Sequence, residues 1–238
     1  MVGMLSDIGL VRKLNEDYLG LIEDDKKRLY VVADGMGGHN AGEIASKLAV
    51  ESVIEYASGE TQFDDPGSVL SNAIKFANKK IYDHALSDSN TTGMGTTITA
   101  CLINQNKAII ANVGDSSCFV INEDGIKKIT KDHSLVQQLV DSGSITEEQA
   151  INHPNKNIIT RALGTNISVE VDLFPIDLEK IDKVVLCTDG LTNSVNKNEI
   201  YDIAIKNNNV DAACQLIELS KLKGSTDNIS VIIFERKC

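Results

Sequence analysis

Four aspartates in this chain stand where carboxylates are unusual. Asp34, Asp115, Asp189 and Asp227 each lie beside the end or the start of a short apolar, β-branched run: 28–33 (RLYVVA), 107–113 (KAIIANV), 183–188 (KVVLCT) and 228–235 (NISVIIFE). Asp is a poor strand residue, and a buried carboxylate is unfavourable unless it is paired or holds a cation. Four carboxylates converging on one rim of a sheet would repel one another, and divalent cations are the simplest offset. Donors that are all oxygen suit Mg²⁺ or Mn²⁺, which favour near-octahedral geometry and retained waters. Gly35 and Gly190 directly follow their aspartates and Gly114 directly precedes Asp115. Without a Cβ the chain can turn sharply there and a carbonyl can approach an ion. A single Asp-Gly pair is an ordinary turn signal; three such junctions at strand ends, joined by Asp227-Asn228, point to a built site.

The elements that must position these residues are legible in the apolar periodicity. A helix is expected over about 41–57, with Ile44, Ala45 and Leu48 on one face. A second, over about 68–85, places Leu70, Ala73, Ile74, Ala77, Ile81 and Ala85 on one side of a 3.6-residue repeat. The period then changes, and 96–103, 107–113 and 117–121 read as consecutive strands with short turns. A short helix is expected at 133–142, irregular chain at 152–165, a buried strand at 183–188, helices at 198–205 and 210–222, and a closing strand at 228–235. Strands in runs and helices in pairs predict an α+β layered fold rather than strict βαβ alternation.

Composition narrows the classes of function. The chain has 238 residues with a net charge of −11; 42% are hydrophobic but only 4% aromatic, with no Trp, so the core must rest on Ile, Val, Leu and Ala. An acidic overall field disfavours nucleic acid and anionic membranes as partners. The five cysteines are Cys101, Cys118, Cys187, Cys214 and Cys238, an odd number with no Cys-x-x-Cys pair. That argues against a disulfide framework or a zinc site. Cys101, Cys118 and Cys187 sit in apolar runs and read as core filler. The first residues lack the apolar stretch of a signal peptide, and no run has the length of a membrane span, so a cytoplasmic location is expected.

Asp34-Gly35-Met36-Gly37-Gly38-His39 resembles the signature of the metal-dependent protein serine/threonine phosphatases of the protein phosphatase 2C type, in particular their bacterial branch. The resemblance continues in family order along nearly the whole chain. Ser6-Asp7-Ile8-Gly9 with Arg12 and Asn15-Glu16-Asp17 resembles the family's N-terminal motif. Gly93-Met94-Gly95-Thr96-Thr97 resembles its central motif. Gly114-Asp115-Ser116, Asp132-His133-Ser134, Thr188-Asp189-Gly190-Leu191 and Thr226-Asp227-Asn228 complete the series. The resemblance implies one domain over 1–238, a four-layer αββα sandwich of two antiparallel sheets flanked by helix pairs. It also implies a flap at about 134–165 beside the active site.

The same resemblance implies a set of roles. Asp34 bridges two ions, Mn²⁺ or Mg²⁺, with the Gly35 carbonyl on the first; Asp189 and Asp227 complete the second site. Asp115, with Asp189, holds a weaker third ion. Glu16 and Asp17 orient metal-bound waters. A water bridging two metals, hydroxide-like near neutrality, attacks phosphorus directly. Arg12 binds phosphoryl oxygens with its planar fork, and His39 is the general acid for the departing serine or threonine oxygen. The implied partners are phosphorylated proteins, including a cognate serine/threonine kinase and its substrates. A monomer is expected separately, because no exposed apolar stripe stands out in the sequence.

Plainer readings compete at several positions. Taken alone, Arg12, Glu16 and Asp17 are surface charges, and His39 a residue flanking a helix. His84 falls on a polar helix face and is expected in solvent, and His133 is expected to fix the start of the segment that follows. Met36 and Met94 are packing residues, since a thioether is too soft for these ions. Arg161 and Lys156 either attract a phosphorylated peptide or are simply solvated. Two positions depart from the bacterial pattern: Ser117 stands where relatives usually carry Arg, and Leu14 where they often carry Asn. A catalytically silent regulatory module of the same fold would be expected to lose one of Arg12, Asp34, His39, Asp189 or Asp227. A phosphoesterase for nucleic acid would be expected to carry a basic stripe.

Overall fold

The computed structural model of the chain describes residues 1–37, 41–60, 65–105, 107–151 and 153–236. One sheet runs in the order β2 (Asp17–Glu23), β3 (Lys27–Met36), β5 (Ile98–Asn104), β6 (Lys107–Val113) and β9 (Asp172–Ile176), with β4 (Gly95–Thr96) paired to the end of β3. The other runs β1 (Gly3–Asp7), β11 (Ile229–Glu235), β10 (Lys183–Cys187), β7 (Ser117–Asn122) and β8 (Gly125–Lys128). Every pairing is antiparallel.

The central strands are apolar on both faces, and their two-residue alternation builds the layers. From β3, Tyr30 and Val32 point between the sheets, where they meet Val184 and Leu186 of β10 and Ile232 and Phe234 of β11. The Tyr30 and Phe234 rings stack across that interface, centroids 3.8 Å apart. The alternate residues Leu29, Val31 and Ala33 face outward onto the helices α1 (Gly42–Gly59) and α2 (Pro66–Ser87). On the other sheet Val185, Cys187, Ile229, Val231 and Ile233 pack outward against α6 (Lys197–Lys206) and α7 (Asn209–Leu222). The result is the expected four-layer αββα arrangement.

Local chemistry sets the helix boundaries. Asp65 caps α2 by accepting from the Gly67 amide at 3.0 Å, and Pro66 occupies its first turn. Asn196 and Glu199 close a capping box on α6. Ser134 caps α3 (Leu135–Asp141), a helix shorter than the expected 133–142. Further short helices are α4 (Glu147–Ile151) and α5 (Asp189–Thr192).

The sequence reading is corrected in two ways. The strand expected to stop before Asp34 continues to Met36, because β4 pairs Thr96 with Gly35 and Gly95 with Met36. β1, β2, β8 and β9 were not anticipated, and each is an edge strand of its sheet. An edge strand is half-exposed and mixed in polarity, so its period-2 signal is weak. β9 even carries Pro175, which only an edge tolerates. Cys101, Cys118 and Cys187 are fully buried as expected, whereas Cys214 is exposed; Cys238 lies outside the described residues. Among the described residues no helix is long and apolar enough to cross a membrane.

Candidate active site

Asp34 sits near the end of β3, directly across the ladder from Asp17 of β2. Its backbone is clamped by the two threonines of the central motif. Its amide donates to Thr97 Oγ1 at 3.0 Å, and its carbonyl accepts from the Thr97 amide at 2.9 Å and from Thr96 Oγ1 at 2.8 Å. Gly35 follows because the chain there runs against α1: a Cβ would collide with the Gly42 carbonyl. The Gly35 amide instead donates to the Glu16 carbonyl at 3.0 Å.

The loop bearing Asp115 joins β6 to β7. Gly114 has φ +108°, a region open to glycine and disfavoured for other residues. The loop is pinned by a buried histidine. The Gly114 amide donates to His133 Nδ1 at 3.0 Å, and its carbonyl accepts from the His133 amide at 2.9 Å and from Asn112 Nδ2 at 3.1 Å. His133 Nε2 lies 3.1 Å from Asp172 Oδ2 and 2.9 Å from Arg161 Nη1. Arg161 Nη1 reaches Asp172 Oδ1 at 2.6 Å and Arg161 Nη2 reaches Glu170 Oε2 at 3.5 Å. Burial opposes ionisation of Asp172, yet bonds from His133 and Arg161 hold its carboxyl below the ordinary range. His133 thus fixes the chain as expected. Arg161 is partly exposed and ion-paired, and it ties 161 to Asp172 of β9.

Asp189 opens α5 immediately after β10, with Asn193 Nδ2 donating to its Oδ2 at 3.0 Å, and it lies within hydrogen-bonding reach of Asp34. Gly190 is required because a Cβ would collide with the Asn228 carbonyl. Asp227, two residues before β11, receives Arg12 Nη2 at 2.8 Å; Arg12 Nη1 lies 3.9 Å from Glu16. Asn228 holds the loop that carries Arg12. Its Nδ2 donates to the Ile8 and Leu14 carbonyls at 2.9 and 3.0 Å, and its Oδ1 accepts from the Glu16 amide at 2.9 Å. Asp17 is buried and accepts from Thr188 Oγ1 at 2.9 Å.

The fold therefore gathers Arg12, Glu16, Asp17, Asp34, Asp115, Asp189 and Asp227 at one end of the sandwich. His39 lies outside the described residues. Electrostatically the cluster is strained. Burial, opposed by bonds from Ser230 and Thr188 and reinforced by Asp189 and Asp227, raises Asp17 to about 7. Burial and Asp189 raise Asp115 to about 8. Burial and four neighbouring aspartates drive Asp34 well above the ordinary carboxylate range, and burial and Asp227 raise Asp189. Burial also raises Glu16, against the pull of Arg12. One carboxylate oxygen each of Asp17, Glu43, Asp115 and Asp189 is buried with no hydrogen-bond partner among the described residues.

Unpartnered buried oxygens and raised carboxyls are what a cation site leaves when only its protein donors are considered. The donor chemistry fits Mg²⁺ or Mn²⁺. Among the described residues no three acidic, His or Cys side chains close around a single point. Glu43, in the first turn of α1 and coupled to Glu16, was not singled out from the sequence, because an acid in a first helical turn is ordinary. Asn112 was also passed over, although a buried amide in the run 107–113 is a signal. Of the packing residues, Met94 is fully buried; His84 is exposed, as expected. Ser117 is buried with its Oγ unpartnered.

The chain belongs to the protein phosphatase 2C family of serine/threonine phosphatases: the family model described as protein phosphatase 2C matches residues 11–208. Its relatives are bacterial. It is 39% identical to a serine/threonine phosphatase Stp of Listeria innocua, over 97% of this chain and 94% of the relative. It is 35% identical to the protein phosphatase PhpP of Streptococcus pneumoniae, over 98% and 96%. Among solved structures, the serine/threonine phosphatase Stp1 of Staphylococcus aureus superposes with a TM-score of 0.93 at 38% identity, covering 98% of this chain and 94% of that one. The catalytic domain of the phosphatase PstP, in complex with two manganese ions, superposes with a TM-score of 0.84 at 32% identity, covering 98% and 96%.

Proposed function

We propose that this chain hydrolyses phosphoserine and phosphothreonine in proteins with the help of divalent cations. The ions would be held by Asp34, the Gly35 carbonyl, Asp115, Asp189 and Asp227, with Mn²⁺ or Mg²⁺ in two core sites and a third, weaker ion at Asp115. The observation that carries the reading is the cluster of raised, partly unpartnered carboxylates of Asp17, Asp34, Asp115 and Asp189. When bound, such cations supply an activated, hydroxide-like water and neutralise phosphate charge.

The chain's own residues do the rest. Arg12, poised beside Asp227 on a loop tethered by Asn228, binds phosphoryl oxygens and orients the ester. Glu16 and Asp17 accept hydrogen bonds from ordered water, Asp17 with Thr188 fixing its carboxylate. His39 is assigned, by resemblance, the protonation of the departing serine or threonine oxygen. The segment 134–165 serves as a flap beside the site, and the partners are phosphoproteins, a cognate kinase among them. The test is hydrolysis of a phosphothreonine peptide with and without Mn²⁺, for wild type and Asp189→Ala. Manganese-dependent turnover that both EDTA and Asp189→Ala abolish is expected. A folded, metal-loaded wild type inert towards every phosphopeptide would refute the reading.

A further inference from the structure

Two contiguous grooves meet at the cluster. The first, of about 280 Å³, is lined by Asp115 and Asp189 on the core side and by Val136, Val140, Ala150 and Ile151 of 134–165. The second, of about 430 Å³, runs past Asn193 and Ser194 to Asp227. Lys156, Asn157 and Asn193 line both. Lys156 therefore stands on the wall shared by the groove that reaches Asp189 and the groove that reaches Asp227.

Three lysines line these grooves, and two are already neutralised. Lys128 Nζ lies 2.7 Å from Asp132 Oδ1, and Lys223 Nζ lies 2.6 Å from Glu199 Oε2. Lys156 is half-buried, has no ion pair among the described residues, and lies in a protein of net charge −11. Lys156 thus presents an uncompensated cation on the wall shared by the two grooves, and acidic Glu147 and Asp132 line the same groove without an ion pair to it among the described residues.

We propose that Lys156 is a specificity residue that selects phosphopeptides carrying a second anionic side chain, a carboxylate or a further phosphate, beside the residue to be dephosphorylated. This rests on the phosphatase reading above and adds the substrate class. Lys156 touches the flanking residue and not the reacting phosphoryl group, so its effect falls on the discrimination between substrates.

The experiment compares kcat/KM, divided by the number of phosphothreonines each peptide carries, for three phosphothreonine peptides that differ only in the flanking residue: alanine, glutamate or a second phosphothreonine. p-Nitrophenyl phosphate, which has no flank, verifies that the enzyme is competent. Wild type is expected to favour an anionic flank over alanine by about 2- to 5-fold, the scale of a partly exposed ion pair. Lys156→Ala should bring that ratio to about one, Lys156→Arg should keep it, and Lys156→Glu should invert it. A preference for glutamate marks a carboxylate as the recognised group; a preference confined to the second phosphothreonine marks a dianion. A wild-type ratio of one for both anionic peptides, or a ratio that Lys156→Ala leaves unchanged, overturns the inference while leaving the phosphatase reading intact. Failure of wild type on p-nitrophenyl phosphate and all three peptides would strike the phosphatase reading instead.

Discussion

Replacing Asn228 with alanine should loosen the loop that carries Arg12 without touching any carboxylate of the cluster. Asn228 is 3% exposed and makes three side-chain hydrogen bonds of 2.9, 2.9 and 3.0 Å to the backbone of Ile8, Glu16 and Leu14. Each is worth about 0.5–1.5 kcal/mol net, so the sum is about 2–4 kcal/mol. Water entering the vacated space would satisfy some of the freed backbone groups and draws the value toward the lower end. Asn228→Asp is the sharper control. It keeps the acceptor for the Glu16 amide but sets a carboxylate oxygen against the Ile8 and Leu14 carbonyls and adds charge beside Asp227, so it should destabilise at least as much. Urea unfolding reads the stability. Phosphopeptide kinetics read the position of Arg12, where misplacement by a fraction of an ångström should lower kcat/KM by about tenfold or more. An Asn228→Ala protein with an unchanged unfolding midpoint and a kcat/KM within twofold of wild type would refute the tether, and would mean that local bonds such as Asn15 Nδ2 to Ser6 Oγ at 2.8 Å suffice to hold the loop.

Two further outcomes are expected. In EDTA the fold binds protons at Asp17 and Asp115 up to about pH 7 and 8, while the unfolded chain releases them near 3.8, so stability falls as pH rises from about 4 to 8. Thermal unfolding in EDTA should show a declining Tm over that range, by up to about 1.4 kcal/mol per pH unit for each such group. Asp115→Asn should flatten the decline, and a Tm that rises with pH in EDTA would contradict the carboxylate strain. Ser117→Ala removes a buried hydroxyl that has no partner, so it should be neutral or stabilising by about 1 kcal/mol, measured by urea titration; a loss of more than about 1 kcal/mol would show that the hydroxyl is satisfied in solution.

The central machinery is legible in the residue types alone. Asp34, Asp115, Asp189 and Asp227 were readable because carboxylates and glycines interrupt apolar strands, a conflict between local preference and composition that needs a functional explanation. The helices α2 and α7 and the inner strands β3, β5, β6, β10 and β11 were readable because burial on a fixed face imposes a strict period on the residue types. Only the tertiary structure decided the rest. The edge strands β1, β2, β8 and β9 are stabilised by a neighbour on one side alone, so their sequences carry little periodic signal. The layering of strands into two sheets depends on pairings such as β1 with β11 and β7 with β10. The first joins the two ends of the chain and the second joins strands separated by the whole 134–165 segment, so neither can be inferred from short-range spacing. From the sequence Arg161 is a cation that either attracts a phosphorylated peptide or is solvated; Asp172, on a strand it does not belong to, pairs with it. Lys156 reads the same in sequence, and what separates it is that it has no such partner among the described residues. Pairing between charges far apart in sequence is a property of the folded chain, since it is set by which side chains the packed layers bring within a few ångströms.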